Sequence, residues 1–470
     1  MGIDGVTTQP TVIVGLGQTG LSVARYLAGR GVEIAVLDSR AEPPELAALR
    51  AELPNIPVYL GGFDEKVLGN AREIILSPGV SLQEPAIRRV REKTKGRSIP
   101  VIGDIELFAR AVHASSARVP IIAITGSNGK STVTTLVAQM ARRDGLTVCA
   151  GANLGPPALA LLDDNKTADL FVLELSSFQL ETTTTLNPTA AAILNLSEDH
   201  MDRYADISSY ARAKYRIFAG DGAMVLNLDD PLVAAARGYF GNQNRSRPVI
   251  GFTLSEPGPD EFGVVAREDG PWIACGRIPL LPIAALKLTG MHNVANVLAG
   301  LALGTAVGLS LSAMCETLQE FTGLPHRCQF VADRGGVHWF NDSKATNVGS
   351  AVAAIHGLRR ESDIVLIAGG DGKGADFSPL KDAIRRNAGQ RAVRAIVLLG
   401  QDASRIATAV QDVVRVVYAD GMRDAVHKAR DLARPGDSVL LSPACASWDM
   451  YRDYRERGEV FTAAVNSEIL

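Results

Sequence analysis

The chain is short of cysteine, and what it has is scattered. Cys149, Cys275, Cys315, Cys328 and Cys445 are spread over 470 residues, and no two form a CxxC pair. The odd count fits a reducing compartment in which thiols serve as small buried apolar groups. Charge of one sign is lacking too. The 48 Lys and Arg face 51 Asp and Glu, for a formal net charge of −3. A general affinity for nucleic acid leaves a basic footprint, so only local basic pockets for phosphates are expected. Long apolar runs are absent. Val294–Leu309 is the most apolar stretch, but it carries Asn296 and Thr305 and falls short of the ~20 residues of a span. A buried helix is expected there, and no membrane partner. The opening MGIDGVTTQP has neither a basic segment nor an apolar one, so no secretory leader is expected and the protein is placed in the cytoplasm. No period of roughly 20–50 residues repeats, no segment is low-complexity, and no coiled-coil pattern appears, which favours a monomer.

What is present is ordinary globular material, 46% hydrophobic and 21% charged, in a length suited to about three domains. The N-terminal third alternates apolar strands (Thr11–Gly15, Glu33–Leu37, Glu73–Leu76) with a helix near Leu21–Arg30. Strand–helix–strand alternation implies a parallel sheet. The basic stretch Arg88–Arg97 reads as a solvated helix end and linker. A second unit follows with strands Pro120–Thr125, Leu170–Leu175 and Ala190–Leu196, a long helix from Ser131, and a helix Asn293–Leu309. A third begins near Pro325, with strands Val337–Asn341, Asp363–Ala368, Ala395–Leu399, Val416–Ala419 and Ser438–Leu441.

Thr125–Ser131 reads TGSNGKS between an apolar strand and a helix. Successive N–H groups in such a loop, with the helix N-terminus behind them, make an anion site. Lys130 then reaches the terminal phosphates and the Ser131 hydroxyl suits a magnesium ion. The spacing G-x-x-G-K-S is shorter than the common G-x-x-x-x-G-K-[ST]. An ATP site is expected over Gly126, Ser127, Asn128, Gly129, Lys130, Ser131 and Thr132.

A second glycine turn, Gly15-Leu16-Gly17-Gln18-Thr19-Gly20, also follows a strand and opens a helix, and Asp38 ends the next strand. The geometry serves a dinucleotide or a nucleotide diphosphate equally well. Glu174 closes the apolar strand before SSFQLE, where a structural role gains nothing from an acid, and a metal role is expected. Ser197-Glu198-Asp199-His200-Met201-Asp202 is a titratable cluster at another strand end, where doubly wound sheets put their sites.

Taken together these residues resemble the Mur ligase family, which adds amino acids to the peptidoglycan precursor. The strings are GLGQTG, SPG, GDIELF, TGSNGKSTVTTL, LELSSFQLE, EDHMDRY, GMHNVANV, FTGLPHR, NDSKATN, GGDGKGADFSPL and LSPACAS, in order over nearly the whole chain. The resemblance implies an α/β protein of three domains: a Rossmann-like N-terminal domain (1–110) for the uridine diphosphate of the substrate, a central P-loop ATPase-type domain (111–324), and a Rossmann-like C-terminal domain (325–470) for the amino acid. The implied reaction is ATP-dependent acyl activation of UDP-N-acetylmuramoyl-L-alanine, followed by attack of the amine of D-glutamate. It implies one magnesium on Ser131 and Glu174, and a second metal on His200 and Lys214, the latter matching the family's carbamylated lysine. Catalytic positions are Lys130, His200, Lys214 and Lys344. Around ATP the matching positions extend to Asn293, Asn296, Arg327 and Asp342. For the uridine substrate they are Gln18, Thr19, Asp38, Ser39, Arg40, Gly79, Asn153 and His200. For the glutamate they are Thr346, Lys373, Ser447 and Tyr454. Trp448 and Tyr454 stand where related ligases tend to carry Leu and Phe, beside the implied glutamate pocket.

Other classes account for less. A P-loop ATPase module leaves the N-terminal turn unexplained, and a Rossmann dehydrogenase rests on GLGQTG alone. A diaminopimelate adder is expected to carry a DNP[RK]-type motif, which is absent. A folylpolyglutamate synthase shares the centre but not the uridine-binding N-terminus.

Overall fold

The computed structural model describes residues 9–92, 99–115, 117–162, 168–201, 203–240, 247–288, 290–358, 362–385 and 393–467. Asp202 and the end of the Arg88–Arg97 stretch lie outside them. The helix Pro85–Glu92 occupies the start of that stretch.

Three sheets are stacked along the chain. The first has β1 (Thr11–Val14), β2 (Ile34–Asp38), β3 (Val58–Leu60), β4 (Glu73–Leu76) and β5 (Val101–Ile102). Their order is β3-β2-β1-β4-β5, all parallel. Strands β1 and β2 are buried throughout, as expected when helices cover both faces. The helix after β1 starts at Gln18, earlier than Leu21, which puts Gln18 and Thr19 in its first turn at the sheet's reversal point. Gly20 permits this: a Cβ there would lie 2.0 Å from the Gly15 carbonyl oxygen.

The central sheet has nine strands: β6 (Ile121–Thr125), β7 (Val148–Ala152), β8 (Leu170–Glu174), β9 (Ala190–Ile193), β10 (Ala223–Asn227), β11 (Val249–Phe252), β12 (Phe262–Arg267), β13 (Gly270–Cys275) and β14 (Ile278–Pro282). Their order is β14-β13-β12-β11-β10-β9-β6-β8-β7, with β13 antiparallel to both β12 and β14. Only three of these strands were marked in the sequence. The β12–β14 meander was missed because its faces are half-exposed. Helix Lys130–Arg143 and helix Met291–Ala306 pack together on one face around Leu136, Met140, Val297 and Leu301. The apolar stretch is thus a core helix, two residues earlier than expected. No helix among the described residues is long and apolar enough to cross a membrane.

The third sheet has β15 (Gln329–Arg334), β16 (Val337–Asn341), β17 (Ile364–Gly369), β18 (Val393–Leu399), β19 (Arg415–Tyr418) and β20 (Ser438–Leu441), in the order β15-β16-β20-β17-β18-β19. Strand β15 is an antiparallel edge with a bulge near Phe330. Its pattern is mostly exposed, so it gave no apolar signal. The first unit docks on the second through Glu106, whose carboxylate accepts the Thr184 and Thr185 N–H groups at 2.7 and 2.9 Å. No disulfide forms among the described residues, and of the five cysteines only Cys445 is buried, the other four being half-buried.

Candidate active site

The phosphate loop leaves β6 at Thr125 and turns into the helix at Lys130. Gly129 has φ +82°, and a Cβ there would come within 2.2 Å of Asn296 Oδ1. Glycine therefore lets the loop sit directly on helix Met291–Ala306, which carries Asn293 and Asn296 alongside it. Asn195 braces the loop, accepting from the Asn128 N–H at 2.8 Å and donating to the Asn128 carbonyl at 3.1 Å. The Lys130 ammonium folds back onto the carbonyls of Gly126 and Ser127 at 2.8 and 3.0 Å. Burial lowers its pKa, opposed by the nearby charges of Glu174 and Asp199.

Glu174 ends β8 with its side chain buried. One oxygen accepts from Asn153 Nδ2 at 2.7 Å, whereas Oε2 is buried with no partner. An unsatisfied buried carboxylate oxygen costs the fold free energy, and a cation is the natural complement. Among the described residues no three His, Cys, Asp or Glu cluster tightly enough to hold a metal by themselves. Glu174, His200 and the Ser131 hydroxyl nevertheless line one cleft. That sparse donor set fits magnesium, which keeps waters and takes substrate phosphates rather than an all-protein cage.

Lys214 is only 1% exposed. Its ammonium donates to Thr125 Oγ1 at 3.1 Å and to the Gly126 carbonyl at 3.0 Å and lies 4.7 Å from the Tyr210 ring centre. Burial, then the Lys130 charge, drives its pKa far below that of a free lysine. The neutral amine is the form whose lone pair attacks the carbon of carbon dioxide, so the environment suits a carbamate. Next to the cleft, His200 takes φ +58°, which turns its ring against Phe178 at 4.7 Å. Arg203 stacks on the same ring at 4.0 Å, donates to the Pro78 carbonyl at 2.9 Å, and pairs with Glu181 at 2.7 Å. It ties the SPG turn of the first sheet to the second.

The third unit reaches into the same place. Arg327 donates to Ser131 Oγ at 2.9 Å. Lys373, at φ +51°, lies 3.4 Å from Asp199, and Asn347 donates to Asp199 at 3.3 Å. Burial opposes the Asp199 charge, but Lys373, His200 and Lys130 outweigh it and hold its carboxyl below the usual range. The Ser350 hydroxyl donates to Asn128 Oδ1. Lys344 sits 3.9 Å from the Tyr454 ring centre; burial and the Arg327 charge bring its pKa down to about 8. Asp342 accepts from Ser442 Oγ at 2.8 Å and from the Cys328 N–H at 3.1 Å, and burial pushes it up to about 7.

Three connected lobes result. The central one, about 500 Å³, holds Lys130, Ser131, Glu174, His200, Lys214, Lys344, Thr346, Lys373, Ser447 and Tyr454. A second, about 260 Å³, is lined by Thr132, Asn293, Asn296 and Asp342 and shares Asn128, Gly129 and Arg327 with the first. A third, about 600 Å³, holds Gln18, Thr19, Asp38, Ser39, Arg40 and Gly79 and shares Pro78 and Asn153 with the first. Asp38 spends both oxygens inside the protein, on the Leu16 N–H at 2.7 Å and on Arg40. Gly126 alone among the anticipated residues lines no lobe; its carbonyl faces Lys130 and Lys214 instead. Asn195, Arg203, Asn347 and Ser350 carry no local signal of a site, although Arg203 and Asn347 lie within EDHMDRY and NDSKATN.

Comparisons with known proteins agree with this layout. The models for the Mur ligase MurD-like N-terminal domain, the Mur ligase middle domain and the Mur ligase glutamate ligase domain match residues 9–103, 124–304 and 326–445. A UDP-N-acetylmuramoylalanine–D-glutamate ligase of Nitrosococcus oceani is 52% identical over 460 residues, covering 98% of this chain and 97% of that one. The chain belongs to the Mur ligase family. Mur ligases with the same printed name from Marinobacter nauticus and Pseudomonas aeruginosa are 50% and 49% identical, covering 98% and 97% of this chain and the same shares of theirs. Among solved structures, the Mur ligase fold recurs in a UDP-N-acetylmuramate-alanine ligase of Thermotoga maritima, at TM-score 0.57, 18% identity and coverage of 98% and 99%. It recurs again in a UDP-N-acetylmuramoylalanyl-D-glutamyl-2,6-diaminopimelate–D-alanyl-D-alanyl ligase of Acinetobacter baumannii, at TM-score 0.54, 19% identity and coverage of 86% of each chain.

Proposed function

We propose that this Mur ligase joins D-glutamate to UDP-N-acetylmuramoyl-L-alanine, using ATP, in the synthesis of the cytoplasmic peptidoglycan precursor. The observation that carries the reading is the placement of the phosphate loop. It stands where a diphosphate lobe on the first sheet and a nucleotide lobe between the second and third sheets open into one central cleft. The full-length relatives at about half identity share that substrate pair in their names.

In this reading residues 1–110 hold the uridine diphosphate, with Gln18 and Thr19 at a helix N-terminus and Arg40 beside them. Residues 111–324 hold the triphosphate, and 325–470 bring the amino acid. The alanyl carboxylate attacks the terminal phosphorus of ATP; the bond to ADP breaks and an acyl phosphate forms. The glutamate nitrogen then attacks the acyl carbon, the C–O bond to phosphate breaks, an amide remains, and a proton is released.

A carboxylate and a triphosphate repel each other, so cations must hold them together. Lys130, Arg327 and Lys344 converge there. Magnesium, held by Ser131 and Glu174 and at a second place by His200 and a carbamylated Lys214, supplies the remaining charge neutralisation when bound. Asn293, Asn296 and Asp342 orient the nucleotide. Lys373, Thr346, Ser447 and Tyr454 hold the glutamate. Closing three units over the acyl phosphate keeps water from it.

The test is phosphate release with ATP, magnesium, UDP-N-acetylmuramoyl-L-alanine and each amino acid in turn. Release that depends on D-glutamate is expected. Release with a different amino acid, and none with D-glutamate, overturns the reading. Lys130→Ala is expected to abolish turnover.

A further inference from the structure

Four aromatic side chains other than histidine line the central cleft: Phe178, Tyr210, Trp448 and Tyr454. Tyr210 is buried in the core. Phe178 is covered by Arg203 and His200, and Tyr454 lies under Lys344. Trp448 differs from all three. Its side chain is 71% exposed, yet its backbone is fixed. Just before it, Ala446 exchanges two backbone hydrogen bonds with Asp371, at 2.7 and 3.1 Å. Arg457, buried, donates to the Ala446 and Cys445 carbonyls at 3.2 and 3.1 Å. Just after it, the Asp449 carboxylate accepts the Gln401 N–H at 2.8 Å. A large indole on a rigid loop, left in water beside a cleft, gains no hydrophobic burial until something covers it.

The ligands of the proposed reaction narrow the choice of what covers it. The adenosine belongs in the second lobe, away from Trp448, and the uridine in the third. Glutamate is small and charged; of its expected partners, Lys373, Thr346 and Ser447 are polar, and the Tyr454 ring already lies under Lys344. What remains is the sugar, which must cross from the third lobe into the central one past Pro78 and Asn153, the two residues both lobes share. A pyranose ring has a face of C–H groups that matches an indole face in size and polarity. We propose that Trp448 is a specificity-determining residue that caps the N-acetylmuramoyl sugar of the acceptor, rather than part of the glutamate pocket. This rests on the acceptor assigned above.

The experiment compares wild type with Trp448→Leu and Trp448→Ala, varying each substrate separately. The expected result is a rise of about five- to tenfold in KM for UDP-N-acetylmuramoyl-L-alanine. The KM values for ATP and D-glutamate stay within about twofold, and Leu retains more than Ala. Fluorescence supplies a second readout. UDP-N-acetylmuramoyl-L-alanine should change the tryptophan emission of wild type, UDP alone should not, and Trp448→Leu should abolish the change. A KM rise confined to D-glutamate, unchanged KM values throughout, or an equal response to UDP and to the full acceptor each overturns the proposal. Failure of the underlying assignment is seen separately, as a wild-type enzyme that does not turn over this substrate pair.

Discussion

Replacing Lys214 by methionine separates a structural lysine from a working one. The swap is close to volume-conserving, and such core changes cost under about 1.5 kcal/mol. It also leaves no acceptor stranded. The Gly126 carbonyl keeps the Lys130 ammonium at 2.8 Å, and the Thr125 hydroxyl keeps its own acceptor, the Leu175 carbonyl, at 2.7 Å. What the fold loses is a desolvated amine whose charged form burial disfavours. The unfolding free energy of Lys214→Met, measured by urea denaturation, is therefore expected within about 1.5 kcal/mol of wild type or above it. Turnover, measured by phosphate release, is expected to fall at least about 100-fold, which is ~2.7 kcal/mol of barrier. Wild-type activity should drop on removal of dissolved carbon dioxide and return with bicarbonate, a response the variant lacks. A variant that keeps a third of its activity, or one whose stability and activity collapse together, refutes the reasoning.

Asp342 supplies a test by pH. Its folded pKa of about 7 lies above the ~3.9 of an unfolded aspartate, so its charged form is disfavoured in the fold. Its contribution to stability falls as pH rises from about 4 through about 7 and is flat beyond. Asn cannot titrate. Between pH 4 and 8 the stability of Asp342→Asn relative to wild type should therefore shift in favour of Asn by roughly 4 kcal/mol; a pH-independent difference in urea unfolding contradicts this. Arg203→Ala strands Glu181 and frees the Pro78 carbonyl, and a loss of about 3 kcal/mol in unfolding free energy is expected. A change under about 0.5 kcal/mol would mark the pair as an ordinary surface one. Lys373→Met is expected to raise the KM for D-glutamate about 10- to 100-fold, the range for a lost charged hydrogen bond, while the KM for ATP holds; an equal rise for both would deny Lys373 its place in the glutamate site.

Much of this was legible in the chain because parallel strands announce themselves. Thr11–Val14, Ile121–Thr125 and Ile364–Gly369 are buried on both faces, and their apolar runs need no periodicity to be found. Gln329–Arg334 escaped because it is an exposed edge strand, and Phe262–Arg267, flanked by neighbours on both sides, because its second half is exposed. Edge strands owe their existence to pairing with a neighbour rather than to a pattern of their own. The site divides the same way. Lys130, Glu174 and His200 stood out as polar residues at the ends of apolar strands. Lys214 reads as a solvated helix lysine on pattern alone. Its helix, Ile207–Tyr215, runs beneath the phosphate loop, and only that packing strips the lysine of water. Asn347 and Arg203 are equally plain locally, and they act across unit boundaries, on Asp199 and on the Pro78 carbonyl.

The pairing within the cleft explains why so many cations can share so small a space. Lys130 rests on two carbonyls, Arg327 on the Ser131 hydroxyl, and Lys373 on Asp199. Neutral acceptors hold two of the three, so their charge is solvated but not cancelled. The carboxylates whose charge acts on Lys130 are Glu174 and Asp199. Such a site is biased toward anions in its low-dielectric interior, where charge acts most strongly. A nucleotide triphosphate, an acyl carboxylate and a dicarboxylic amino acid are together the ligand set that corrects the imbalance. Each cation already lies on an acceptor it can exchange for one of theirs, so binding substitutes contacts rather than dragging bare charges out of water.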